Sequence, residues 1–82
     1  MPTVWKIGRF RVVIHTNDHL PVNVHVIGAD CEAIFNLHGP HGPVELRENY
    51  RCSPSQLRSI RAELNDRRAY LCAEWERIHG SV

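Results

Sequence analysis

Long apolar runs are missing from this chain. No stretch approaches the ~20 residues that a helix needs to span a bilayer, and no signal peptide precedes Trp5. The expectation is a protein that works in the cytoplasm and not at a membrane. Cysteine is sparse and odd in number, with Cys31, Cys52 and Cys72 forming no C-x-x-C pair. A secreted disulfide framework favours an even count, so the sequence points to reduced thiols, packed as small apolar side chains. Zinc-type spacing is absent too. His38 and His41 stand three apart in a Gly-Pro loop, which reads as a polar loop able to chelate only weakly. No metal and no cofactor is expected. There is no glycine-rich loop to cradle a phosphate, and no elbow motif that frames a serine for Ser-His-Asp chemistry. An excess of one charge is also lacking: ten Lys and Arg face nine Asp and Glu, for a net +1. Strong non-specific binding to a polyphosphate needs a basic excess to displace counterions. The one local cluster, Lys6, Arg9 and Arg11, reads most simply as charge protecting a sheet edge.

What is present is an ordinary globular composition, 43% hydrophobic and 23% charged over 82 residues. That length makes a single domain, 1–82, with a thin core that self-association could reinforce. Residues 1–48 are β-rich. Thr3 to Ile7 is a short strand closed by Gly8. From Phe10 to Thr16 the chain alternates, with Phe10, Val12 and Ile14 on one face and Arg11, Val13 and His15 on the other. Asn17-Asp18-His19-Leu20-Pro21 breaks that pattern as a loop. Val22 to Ile27 resumes it, with Val22, Val24 and Val26 opposed to Asn23, His25 and Ile27. Gly28-Ala29-Asp30 is a hairpin loop, Cys31 to Leu37 the returning strand, and Val44 to Leu46 a short last one.

Residues 53–79 are helical. Ser53 can cap, Pro54 suits the first helical position, and Gln56 completes a capping box. Leu57, Ile60, Leu64, Leu71, Trp75 and Ile78 then form one apolar stripe. Arg67 and Arg68 interrupt it, and Asn65-Asp66 could cap a new helix, so one bent helix and two short ones are both open. Gly80 after His79 is a stop signal. The fold class is therefore α+β: a small antiparallel sheet of about four strands, followed by a C-terminal helical segment packed on one face.

Six histidines are many for this length. A loop joining adjacent antiparallel strands can bring Asp18, His19, Asn23 and His25 to one side of the sheet. A carboxylate beside an imidazole orients the ring and raises its basicity, and two such rings with an arginine would suffice for RNA cleavage. By face, Arg11 is the nearest arginine. The candidate catalytic set is thus His19, His25, Asp18 and Arg11, with Asn17, Pro21 and Asn23 as candidate binding residues. The plainer reading has Asn17 and Asp18 capping the turn and His25 as a hydrogen-bonded surface histidine.

The segment Asp18-His19-Leu20-Pro21-Val22-Asn23-Val24-His25-Val26 resembles a family of small bacterial proteins grouped as a domain of unknown function, with a D-H-x-P-P-H-V-H-V-like motif. The likeness extends through the Met1 to Val4 opening, the Gly8 to Phe10 turn, Gly28, Glu32-Ala33, Val44 to Leu46, and the Leu57, Trp75 and Gly80 landmarks. It implies a component of toxin–antitoxin-like gene pairs, frequently on mobile DNA. Where the family pattern has a histidine, this chain has Asn23, which can neither act as a base nor serve well as a zinc ligand. The reading that results is a protein-binding component of such a module. Its partner is expected to be a small protein or a second copy of itself. The alternative is a small RNA-cleaving toxin that uses a histidine pair.

Overall fold

The computed structural model describes residues 3–15, 22–38 and 42–79. Five strands, β1 (Thr3–Ile7), β2 (Phe10–Val13), β3 (Asn23–Ile27), β4 (Glu32–Asn36) and β5 (Glu45–Tyr50), precede two helices, α1 (Pro54–Asp66) and α2 (Arg68–His79). The strands form an antiparallel meander in the order β1-β2-β3-β4-β5. The α+β class holds, with one correction to the sheet: β5 is a full fifth strand where only Val44 to Leu46 is expected. It is an edge strand exposed along nearly its whole length. A strand with no buried face carries no alternation for a reader of sequence to find.

Alternation elsewhere builds the core. Val12, Val24, Val26, Ala33 and Phe35 come from one face of the sheet, and Ile60, Leu64, Leu71 and Trp75 from the helices. Fully burying such a side chain is worth about 1.5–3 kcal/mol, so this layer carries most of the folding free energy. Two glycines fit the strands around it. Gly8 turns β1 into β2 at φ 57°, a left-handed conformation that costs glycine nothing. Gly28 lies so close to the Phe10 ring that a Cβ there would stand 2.6 Å from its Cε1.

The helix start forms as its sequence dictates. Ser53 Oγ accepts from Gln56 N at 3.1 Å, and Gln56 Oε1 accepts from Ser53 N at 2.8 Å. The interrupted stripe resolves into two helices. Arg67 leaves helical geometry at φ −112°, ψ 16°, and its N–H is shared between Glu63 O and Leu64 O. Asn65 does not cap the second helix. Its Oδ1 instead accepts from Val44 N at 3.0 Å and from Arg68 Nη1 at 3.1 Å, tying the approach to β5 onto α1.

The break also has a use at the far edge of the sheet. The Arg67 guanidinium lies over the Trp5 ring at 4.5 Å. Trp5 Nε1–H donates to Glu63 Oε2 at 3.2 Å, and Tyr70 meets the Trp5 ring edge-on at 5.5 Å. Tyr70 O–H donates to Val4 O at 3.1 Å. Helical side chains therefore cover β1.

The expectation of three reduced thiols is corrected. Cys31 and Cys52 form a disulfide across a Cα separation of 5.0 Å, and Cys72 alone is free. Register explains the pairing: Glu32 stands opposite Tyr50, so the residues just beyond those strand ends converge. Arg51, at φ 72°, turns the chain there. Asn49 holds the result, its Oδ1 accepting from Cys52 N at 2.9 Å and its Nδ2 donating to Cys52 O at 3.0 Å. An odd count hides such a pair, because the third thiol belongs to a different layer. Cys72 is half-buried, and burial foremost pushes its thiol up.

Reduction of the disulfide, or the double substitution Cys31→Ser, Cys52→Ser, should lower stability by about 3 kcal/mol, the chain-entropy value for a loop of this length. Urea denaturation followed by circular dichroism measures it, with Cys72→Ser as the control that leaves the midpoint in place. An unchanged midpoint after complete reduction would show that the link adds nothing.

Candidate functional site

With the helices on one face, strand alternation sends a polar row to the other. His25 projects from the middle of β3, opposite in sense to Val24 and Val26. Its cross-strand neighbours are Val13 on β2 and Ile34 on β4. His15 lies two residues beyond Val13, and Glu32 lies two before Ile34, so both are diagonal neighbours of His25, within reach of long side chains.

The contacts form. The rings of His15 and His25 meet edge-on with centroids 4.0 Å apart. On the other side His25 Nδ1–H donates to Glu32 Oε2 at 3.1 Å. A carboxylate only accepts, so it selects the Nδ1–H tautomer of a neutral His25. His25 is well sheltered, its side chain 15% exposed, against 38% for Glu32. The row Glu32–His25–His15 thus runs from β4 over β3 to the segment just beyond β2, with a carboxylate at one end and two imidazoles in contact. Chemically that is an acid/base relay in outline.

The structure places the sequence-selected residues as follows. His25 is central. Arg11 is on the same face, opposite Ile27, two pairs further along the sheet. Asn23 faces Asn36 on β4 and is buried, at 2% exposure. Asn17, Asp18, His19 and Pro21 lie outside the described residues, as does His41. Sequence reasoning missed Glu32 and His15. Both were within reach: β2 alternation puts His15 on the face of Arg11, and the hairpin at Gly28-Ala29-Asp30 fixes Glu32 opposite Ile27. Among the described residues no group of three or more His, Cys, Asp or Glu is placed to hold a metal ion.

A second histidine–glutamate pair sits where β4 leaves the sheet. His38, read in sequence as a loop residue, adopts φ 55°, and its Nε2–H donates to Glu45 Oε1 at 2.8 Å. That hydrogen bond is the main reason the Glu45 carboxyl lies below its ordinary range, helped by one from Asn36 and by the charge of His38. A surface cleft runs between the β1–β2 turn and the first turns of α1, bounded by Ile7, Arg9, Phe10, Gln56 and Ile60.

Residues 9–76 match the family described as Domain of unknown function (DUF4160). That span is most of the chain, and the chain belongs to this family. No curated protein and no solved structure matches it. No helix of the described residues is long and apolar enough to cross a membrane.

The His38–Glu45 pair gives a pH dependence of definite sign. A carboxyl lowered by folding stabilises the fold above its unfolded value, and the contribution fades as pH falls through the lowered one. His38→Ala should therefore move the Glu45 titration up toward the ordinary carboxylate range and leave that of Glu74, held down by Arg77, where it is. Side-chain carboxyl 13C shifts against pH measure both. An unmoved Glu45 would mean that the histidine does not set its acidity.

Proposed function

We propose that this chain is the protein-binding member of a two-protein module of the toxin–antitoxin kind, possessing no turnover of its own, that meets its small partner in the cytoplasm along β5. The supporting observation is the contrast between the two edges of the sheet. Edge strands present unpaired N–H and C=O groups, which a further strand can complete. β1 is covered from the helices by Tyr70, which bonds Val4 O, and its register slips between Thr3 and Trp5. β5 is exposed, and no described element pairs with its outer side. The occupant is an extended segment of the partner. Backbone pairing supplies the affinity, and side chains such as Glu45, Arg47 and Glu48 select the sequence. Those charges also discourage indiscriminate sheet-to-sheet association.

A second reading, a small RNA-cleaving toxin, is favoured by one observation: the Glu32–His25–His15 contacts provide a carboxylate-oriented imidazole beside another. In this reading His25 and His15, with His19 and Asp18, would share the proton transfers, and Arg11 would meet the phosphate.

One residue separates the readings. Arg47 falls at the β5 irregularity, where Leu46 pairs with Phe35 and Glu48 with Ile34. It takes no part in the β4 register, and proline is tolerated at such places. Arg47→Pro should keep the far-ultraviolet circular dichroism of the wild type and weaken partner capture at least tenfold. The partner is a small protein encoded beside this chain, co-expressed with it and measured by calorimetry. Undiminished capture by a folded Arg47→Pro protein would remove the β5 reading. Induction of the chain alone should leave bacterial growth and cellular RNA intact. Growth arrest with cleaved RNA, relieved by His15→Ala, His25→Ala, would establish the second reading instead.

A further inference from the structure

His79, in the last turn of α2, has both ring nitrogens on carbonyl oxygens: Nδ1 is 3.0 Å from Trp75 O, and Nε2 is 3.1 Å from His15 O. A carbonyl oxygen only accepts. A neutral imidazole has one N–H, so it can bond one of these oxygens only while aiming a lone pair at the other. The imidazolium alone donates to both. Two further features suit a cation at this place. The ring is stacked on Trp75, centroids 3.9 Å apart and planes 20° from parallel, and an indole face attracts positive charge. The C-terminal end of a helix does the same through its aligned carbonyls.

We infer that His79 is a proton-operated latch, which fastens the end of α2 to the end of β2 when its ring carries both protons and slackens when it loses one. The fastened position is the backbone of His15, whose ring contacts His25. The latch therefore adjusts how the sheet end and the histidine row are held. Among the described residues, the titratable groups nearest the fastened position are His15 itself, just beyond β2, His25 of β3, whose ring it meets, and Glu32 of β4, bonded to His25, with Arg11 further along β2. On α2 itself Glu76 and Arg77 precede the ring, and Arg77 is engaged with Glu74 at 3.1 and 2.8 Å. The sign follows from the bonds. Both exist on the acid side, and one is lost as pH rises.

The test is 15N NMR of the imidazole nitrogens over roughly pH 5 to 8, the range in which histidines titrate, together with amide hydrogen exchange. Both nitrogens of His79 should be protonated at the acid end. Protection factors at Val13 to His15 and in the last turn of α2 should fall about tenfold as the second proton leaves, the expected cost of one charge-assisted hydrogen bond. His79→Phe keeps an aromatic ring on Trp75 and removes both donors. Its protection should lie at the alkaline level of the wild type at every pH. If that variant does not fold, the wild-type nitrogen shifts decide alone. A ring with one unprotonated nitrogen throughout the range, or an equal pH dependence in His79→Phe, overturns the inference.

Discussion

A single apolar stripe, Ile60, Leu64, Leu71 and Trp75, fixes the meander by covering one of its faces. A five-stranded sheet has two faces, and a chain of this length supplies helix for only one. Every other feature inherits that asymmetry. To keep the stripe on the sheet beyond Leu64, the helix must break at Arg67. The break brings Arg67 and Tyr70 over Trp5, and Tyr70 ties Val4 of β1 to α2. β5, at the far side, receives no such cover. One edge strand is partly covered and the other exposed because of where the helical turn falls.

The second face is polar without being bare. Val13, Asn23 and Ile34 belong to it and are almost fully buried, at 1%, 2% and 9% exposure. His25 stands among them, a polar ring on the face away from the helices that is itself well sheltered. Shelter has two consequences for the Glu32–His25 bond. It strengthens the interaction by lowering the local dielectric, and it limits the approach of any substrate to the ring. His79 adds a third connection by holding the His15 backbone from α2. The histidines are thus tied into the packing of the fold, whatever else they do.

Most of the architecture was legible in the residues, for stated physical reasons. Period-two alternation gave β2, β3 and β4 with their faces. The Ser53-Pro54-Ser55-Gln56 start and the three-and-four spacing gave the helical stripe and its face. What was illegible shares one property: it depends on register between distant segments. The length of β5 is invisible because no buried face marks it. The Cys31–Cys52 link requires knowing that Glu32 meets Tyr50. Asn65 looks like a cap in isolation, yet Val44 claims its side chain. The partial site follows the same rule. His25 was found from its strand. The sequence offers Asp18 as its carboxylate, whereas the described carboxylate, Glu32, comes from β4 by hairpin register.

The two readings of function make different demands on this scaffold. Cleaving RNA requires that two imidazoles reach one phosphodiester, with a cation on the phosphate. His25 is 15% exposed and already bonded to Glu32, its described imidazole neighbour touches it ring to edge, and Arg11 is displaced by two cross-strand pairs. For phosphate to reach between the rings, His15 would have to move from His25. That movement is resisted by the hydrogen bond from His79 to its backbone. Binding a strand at β5 requires no rearrangement, since the edge is exposed as it stands. The cost of opening the histidine row, set against an edge that is exposed already, is the physical reason for proposing the binding reading ahead of the other.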